Sequence, residues 1–423
     1  MPDEKKATTD KSFNILSLDG GGTWALIQVK ALLRLYGDIT GHEVLKRFNL
    51  VAATSGGSIV LAALVENMRL SVLLGCFQSQ GWRERIFVNL PWYDKLTRVI
   101  GLGPRFSTEE KLSGLQHVFP LNGATPMPGI PALVIKTVGN SPQFLITSFN
   151  YDRQRVAFFR SQTNSRAASF SPTLQNATLV EAVHASTNAP INFFNIPAQI
   201  QNSNARYWDG GVSGNNNPVL AAVTEALANQ IPRKRIRALS IGTGNVFLPL
   251  ADGSNIGSPL VQARENQGLV NDVKEIATSI IDDPPDAASF IAHISLGGRL
   301  PQAAGDIIGD GPVVRMNPMV QPVLNDANDP RGKIEWVLPG QQQTPPNPDS
   351  LDMADFQKLL ELDIAVVDDP DVEVIGRFCD KWLDDIVTNQ PIRVRSDTFA
   401  PEIGHNKFSQ ARAAWSTYGG GVI

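Results

Sequence analysis

The chain has 423 residues, 42% of them apolar and 18% charged, with 37 basic against 41 acidic side chains and a formal net charge of −4. That balance offers no broad basic field for a nucleic-acid polymer. Two cysteines, Cys76 and Cys379, in no Cys-x-x-Cys spacing, exclude a disulfide framework and suit a reducing, cytoplasmic location. The length allows one large α/β domain or two ordinary ones. The opening stretch, residues 1–12, is charged and polar, without the apolar run of a secretory signal, and reads as a disordered leader. No stretch reaches the roughly 18 apolar residues of a spanning helix, because Glu66 and Arg69 interrupt the best run, residues 58–77. Membrane contact is therefore expected to be peripheral.

In chain order, FNILSLD (residues 13–19) is a short apolar run of the kind buried on both faces of a parallel sheet. It enters GGG and then a segment in which Leu26, Val29, Leu33 and Tyr36 recur at helical spacing. The pattern repeats as helix-like HEVLKRF, strand-like NLVAAT, and SGGSIVLAALVENM, a turn entering a helix. Further strands are expected at PALVIKTV, PQFLITSF, RVAFF and IRALSIGTG, with a helix at TLVEAVHAS. Alternating strands and helices predict a layered α/β fold with a mostly parallel sheet. Beyond Asn245, Pro- and Asp-rich stretches mark long loops, followed by helical patterns at LDMADFQKLLELDIAVV and DVEVIGRFCDKWLDDIV. The segment from residue 390 on is polar and glycine-ended and reads as an unassigned tail.

Three turns carry candidate chemistry. In LVAATSGGSIVLAAL, Ser55 stands at a strand-to-helix turn, where its hydroxyl is pushed out of the sheet edge if the residues two before and two after are small. Ala53 and Gly57 are small, although the Gly-x-Ser-x-Gly spacing of serine hydrolases has lost its first glycine. The alternative is a serine that merely caps a helix. In LDGGGTWA, three glycines opening a helix would let backbone N–H groups approach a phosphate or the oxyanion of an acyl-transfer intermediate. In YWDGGVSGNNNP, Asp209 precedes two glycines at a strand end. A turn aspartate is usually structural, but a buried carboxylate whose proton affinity is raised can serve as a base.

Together these stretches resemble the patatin-like phospholipase family. The glycine-rich motif is similar to Asp19–Gly22, with Thr23, Trp24 and Ala25 replacing the small or basic residues that often follow. The nucleophile motif is similar to Ala53–Gly57, and the Asp-Gly-Gly motif to Asp209–Gly211, followed by Asn216–Pro218. Lesser matches, ASTNAPINFF, LSIGTG and VVRMNP, fall in the same order. The resemblance implies a three-layer α/β/α fold, one domain over residues 13–389 with a helical cap inserted at about 67–128 and a tail at 390–423 outside it. It also implies a Ser–Asp dyad, with Ser55 as nucleophile and Asp209 as general base, an oxyanion hole from the N–H groups of Gly20, Gly21 and Gly22, and no metal or cofactor. The implied substrate is a phospholipid or related acyl lipid.

Residues 81–106 interleave Trp82, Phe87, Trp92, Tyr93 and Phe106 with five basic side chains. They suit a lipid interface or, as most such stripes do, a cap whose aromatics face the core; both hold if the cap covers an acyl cleft. Other readings are an α/β-hydrolase triad completed by His293 or His405, a phosphate loop of an ATPase, and a patatin-fold protein that binds lipid or a partner without turnover. Some family members are defence effectors switched on by cyclic nucleotides, so a small-molecule activator is a further expectation.

Overall fold

The computed structural model describes residues 12–90, 104–135, 141–166, 176–190, 193–201, 203–249, 258–262, 285–300, 309–325, 335–341, 347–392 and 403–417. The expected leader, apart from Ser12, lies outside them. The apolar runs near the N-terminus are strands because both their faces and both their edges are covered. β1 (Phe13–Leu18) lies between β2 (Leu50–Ala53) and β7 (Ile236–Ile241), parallel to both, with Leu18 opposite Ala53 on one side and Ile241 on the other.

The remaining strands of this sheet are β3 (Gln143–Asn150), β4 (Arg155–Arg160), β5 (Ala198–Gln199), β6 (Arg206–Asp209) and β9 (Val313–Met316); β8 (Asn245–Val246) belongs to a smaller sheet. The order is β5–β6–β3–β2–β1–β7–β9, with β4 also on β3. Strands from β3 to β9 run parallel, whereas β4 and β6 are antiparallel to β3.

Period-two alternation divides the strand side chains between two cores. Leu16, Leu18, Val51, Ala53, Leu239 and Ile241 belong to one, with helices α1 (Leu26–Tyr36), α2 (Gly41–Leu45) and α3 (Gly56–Val65). Ile15, Leu50, Ala52, Ile236 and Ala238 belong to the other, where Val219, Ala222, Val223 and Ala226 of a later helix pack. The sheet is thus the middle of three layers.

Between α3 and β3 the described chain is helical, in α4 (Leu70–Gln78), α5 (Gln80–Ile86), α6 (Thr108–Val118) and α7 (Ile130–Leu133). The Glu66 carboxylate, at the end of α3, accepts backbone N–H groups of Leu121, Asn122 and Gly123, which ties this segment down.

Three sequence expectations need correction. PALVIKTV begins as a helical turn instead of a strand, with Pro131 in the first turn, where its missing N–H costs nothing; residues 136–140 lie outside the described set. The helix expected from Leu351 ends at Glu361, and the following residues cross the glycine turn. Part of the expected tail, Phe408–Thr417, is a helix whose Phe408, Ala411 and Trp415 share one face and are buried in the main core. There the Trp415 indole N–H donates to the Tyr36 hydroxyl at 2.8 Å.

Candidate active site

The sharing of one edge of β3 brings two distant stretches together. β4 runs along residues 145–150 of β3 on one edge. The opposite edge therefore carries β2 on residues 143–146 and β6 on 148–150. Because β6 is antiparallel, the two strands end facing one another, with Ala53 opposite Ile146 and Asp209 opposite Ser148. Ser55, two residues beyond the end of β2, meets Asp209 at this gap.

The turn at Ser55 is strained. Its backbone has φ +48° and ψ −124°, a region that L-residues rarely adopt. It stands at the N-cap position of α3, yet its hydroxyl makes no capping hydrogen bond. The turn is pinned by the Ser55 N–H donating to Ser186 Oγ at 2.8 Å and by the Gly57 N–H donating to the carbonyl oxygens of Thr54 and Asp19. A Cβ at Gly56 would lie 2.5 Å from the Gly22 oxygen, and one at Gly57 would lie 2.4 Å from the Leu18 oxygen, so neither position has room for a side chain. Ala53 differs. It is the last residue of β2 with no positive φ, and its methyl group packs into the core, so the lost glycine leaves no strain behind.

Asp209 is 5% exposed. Burial raises its carboxyl, and although a hydrogen-bonding interaction with the Ser55 hydroxyl, the Gly211 N–H at 2.8 Å and the charge of Lys111 pull the other way, it stands at about 6. Its own N–H donates to the Asn188 carbonyl oxygen at 2.9 Å.

The glycine turn runs beside Ser55: a Cβ at Gly20 would stand 3.0 Å from Ser55 Cβ and 2.2 Å from Asn216 Oδ1. The Gly20 N–H is committed to the Asn216 carbonyl oxygen at 2.9 Å. Those of Gly21 and Gly22 have no backbone acceptor among the described residues, and Gly21 has φ +158° and Gly22 φ +55°. Asn217 Oδ1 accepts from Ser17 Oγ, Ser240 Oγ and the Val219 N–H, which binds the Asn-Asn-Pro segment beneath the sheet.

Two cavities flank the turn. On the Ser55 side an apolar cleft lined by Gly22, Ile59, Ile86, Phe87, Phe194 and Ile364 keeps only about 10 Å³ free, room for about one water. On the other side a mixed cavity of about 220 Å³ is bounded by Gly20, Gly21, Trp24, Asn216, Thr243 and Arg315.

Residues 16–223, which hold all three turns, match the family model described as Patatin-like phospholipase. This chain carries a patatin-like phospholipase domain. Over 282 residues it is 24% identical to an intracellular phospholipase A2 of Caenorhabditis elegans, covering 64% of this chain and 22% of that protein. Over 251 residues it is 24% identical to a cGAMP-activated phospholipase of Pseudomonas aeruginosa, covering 58% of this chain and 66% of that one. The chain thus spans less than two thirds of either relative's length. Among solved structures, VipD from Legionella pneumophila aligns over 97% of this chain and 74% of that one, at 11% identity and a TM-score of 0.32.

Within the patatin-like domain, Trp82 is half-buried against Phe77. Phe87 is buried beside Phe106 and Phe194 in the cleft, so it faces inward and not toward a lipid surface, because Glu84 and Arg85 take the outer face of α5. Trp92 and Tyr93 lie outside the described residues. Neither His293 nor His405 lines the Ser55 cleft; His293 Nε2 instead lies 2.9 Å from the Arg299 carbonyl oxygen. The glycine turn leads through a 3₁₀ turn into α1, with no second strand after it.

Three features escaped the sequence reading. Lys111, fully buried on α6, faces Asp209. Arg315 pairs with Asp19 at 2.6 Å. Residues 363–366 cross the glycine turn: the Thr23 N–H donates to the Ile364 oxygen, Thr23 Oγ1 to the Val366 oxygen and the Trp24 indole to the Asp363 oxygen. Thr23 and Trp24, which depart from the family pattern, serve this crossing. A lysine among glutamates or an arginine in a strand carries no distinguishing signal in one sequence.

Proposed function

We propose that the chain is a lipid acyl hydrolase that cleaves carboxylic esters of phospholipids or related acyl lipids through a Ser55–Asp209 dyad. The observation that carries this reading is the pairing of a strained serine, free of any capping bond, with a buried carboxylate. Asp209 takes the Ser55 hydroxyl proton as Oγ attacks the ester carbonyl carbon. The resulting oxyanion is met by the N–H groups of Gly21 and Gly22 and by the N-terminal end of α3. Collapse breaks the ester C–O bond, and the proton on Asp209 passes to the departing alcohol, leaving an acyl-serine. Asp209, again a carboxylate, draws a proton from a water that attacks the acyl carbon; the bond from that carbon to Ser55 Oγ then breaks, the fatty acid leaves, and the proton passes from Asp209 to Oγ. The Gly20 N–H supports the turn through Asn216 and is not itself an oxyanion donor in this reading.

The apolar cleft beside Ser55 suits an acyl chain, but it must widen to admit one. Phe87, at the end of α5, and Phe194, in the segment before β5, are the side chains that would move. A requirement for a lipid surface or a small-molecule activator follows from that closed cleft, and the cGAMP-activated relative supports the second version.

The test is fatty-acid release from mixed phospholipid vesicles by the wild type, Ser55→Ala and Asp209→Ala, with and without cGAMP. Release by the wild type alone is expected, with each variant reduced about 10⁴-fold or more. Equal release by all three would end the dyad reading. If all three are silent and a fluorophosphonate probe fails to label Ser55, the hydrolase reading falls and binding without turnover takes its place.

A further inference from the structure

Lys111 Nζ is enclosed beneath the dyad, on an element that the strand-end geometry does not otherwise use. It donates to the His184 carbonyl oxygen at 3.0 Å, to Thr187 Oγ1 at 3.2 Å and to Asn188 Oδ1 at 2.8 Å. All three partners can only accept. The Thr187 hydroxyl proton is already given to the Val183 oxygen, and the Asn188 amide N–H to the Ile196 oxygen. Three acceptors with no proton to return match the three N–H bonds of an ammonium, whereas a neutral amine would set its lone pair against one of them. Phe194, a wall of the Ser55 cleft, covers the ammonium with its ring centroid 4.1 Å away.

A buried cation needs a buried anion. Among the described residues, the groups that face Lys111 are Asp209 and the buried His184 imidazole, which burial and the Lys111 charge hold well below the ordinary histidine range; burial also pushes Lys111 itself well below the ordinary lysine range, so it is the three acceptors and the Asp209 charge that must hold its proton. Among the described residues Asp209 is the anion that acts on Lys111, and Lys111 is the cation that acts on Asp209. The two are also joined mechanically: Asn188 takes Lys111 on its side chain and the Asp209 N–H on its backbone oxygen.

We propose that Lys111 is a positioning residue for the dyad, a buried ammonium that keeps Asp209 ionised through its charge and oriented through Asn188. The inference rests on the dyad reading above. Lys111 touches neither substrate nor the reacting atoms. It acts by lowering the pH at which the base becomes usable.

The experiment follows the rate of fluorophosphonate labelling of Ser55 against pH in the wild type, Lys111→Gln, Lys111→Arg and Asp209→Asn. Glutamine retains two donors for the three acceptors but removes the charge. Its acid limb is expected to move upward by about one pH unit, with the rate recovering at higher pH, while Lys111→Arg keeps its limb near the wild-type position. A Lys111→Gln rate lowered equally at every pH, with the limb unmoved, would show a packing role and overturn the proposal. Asp209→Asn separates the two readings, because persistence of a wild-type limb in that variant would remove the dyad itself. Lysine-selective ¹⁵N spectra of the wild type read the charge without any substitution, so they stand even if Lys111→Gln does not fold. An ammonium signal for Lys111 at neutral pH supports the proposal, and a neutral amine overturns it.

Discussion

Asp19 and Asp209 make an instructive pair. Each precedes glycines at the end of a strand, each is buried, and burial raises both carboxyls to about 6. Their partners differ. Asp19 gives one oxygen to the Arg315 guanidinium at 2.6 Å, while its other oxygen has no hydrogen-bond partner. Arg315 also donates to Ser240 on β7, so this pair ties the start of the glycine turn to two neighbouring strands. Asp209 faces a hydroxyl and a backbone N–H, with the Lys111 amino group set back behind Asn188. A carboxylate locked to an arginine makes a strut. One that faces a serine hydroxyl, with a cation held back, remains able to take and return a proton.

The largest effect expected from this contrast is on stability. Arg315→Met leaves the Asp19 carboxylate buried without its counter-charge and is expected to cost about 3–5 kcal/mol, read by denaturant unfolding near neutral pH. The sign with pH follows from the direction of the shift. Without Arg315 the Asp19 carboxyl rises further above its wild-type value of about 6, and an acid whose folded-state pKa lies above its unfolded value disfavours the fold when ionised; the deficit is therefore largest at high pH, shrinks as pH falls toward about 6 and is lost below it. The double variant Asp19→Asn/Arg315→Met should recover most of the loss. A deficit that is the same at all pH values would mean that Arg315 acts through packing, and the contrast with Asp209 would lose its basis.

The second effect is on rate. With Asp209 as the base, labelling of Ser55 is expected to fall by about tenfold per pH unit below a midpoint of about 6. Asp19→Asn should leave that midpoint in place, whatever it does to stability. Movement of the limb in Asp19→Asn would show that the two carboxylates share a proton or a field, which would dissolve the distinction between strut and base.

What the sequence revealed and what it hid separate along the same line. Ser55, Asp209 and the glycine turn were legible because backbone geometry restricts them. A strained strand-to-helix turn demands small neighbours, and only glycine fits where Gly56 and Gly57 pass the Gly22 and Leu18 oxygens. The parallel strands were legible because burial on both faces leaves an unbroken apolar run. Lys111 and Arg315 were hidden because their roles come from long-range pairing, α6 against Asp209 and β9 against Asp19, and neither has a local pattern. PALVIKTV was misread because a short apolar run has no period to separate strand from helix, and the inward turn of Phe87 depends on which face of α5 the rest of the molecule covers.

The smallest expected effect returns to the missing glycine. Ala53 pairs with Leu18 and Ile146 inside β2, and its methyl group contributes to the core between the sheet and α3. Nothing about its backbone requires glycine. Ala53→Gly is therefore expected to lose about 1–2 kcal/mol, from backbone freedom in the unfolded chain and one buried methyl group, while Ser55 is labelled at the wild-type rate. The strain that presents the serine is stored at Ser55 itself, where φ is +48°, and a change two residues earlier in regular strand should not release it. If Ala53→Gly instead speeds labelling tenfold, the methyl group restrains the turn, and residue 53 would have to be counted with the reactive half of the molecule and not with its frame.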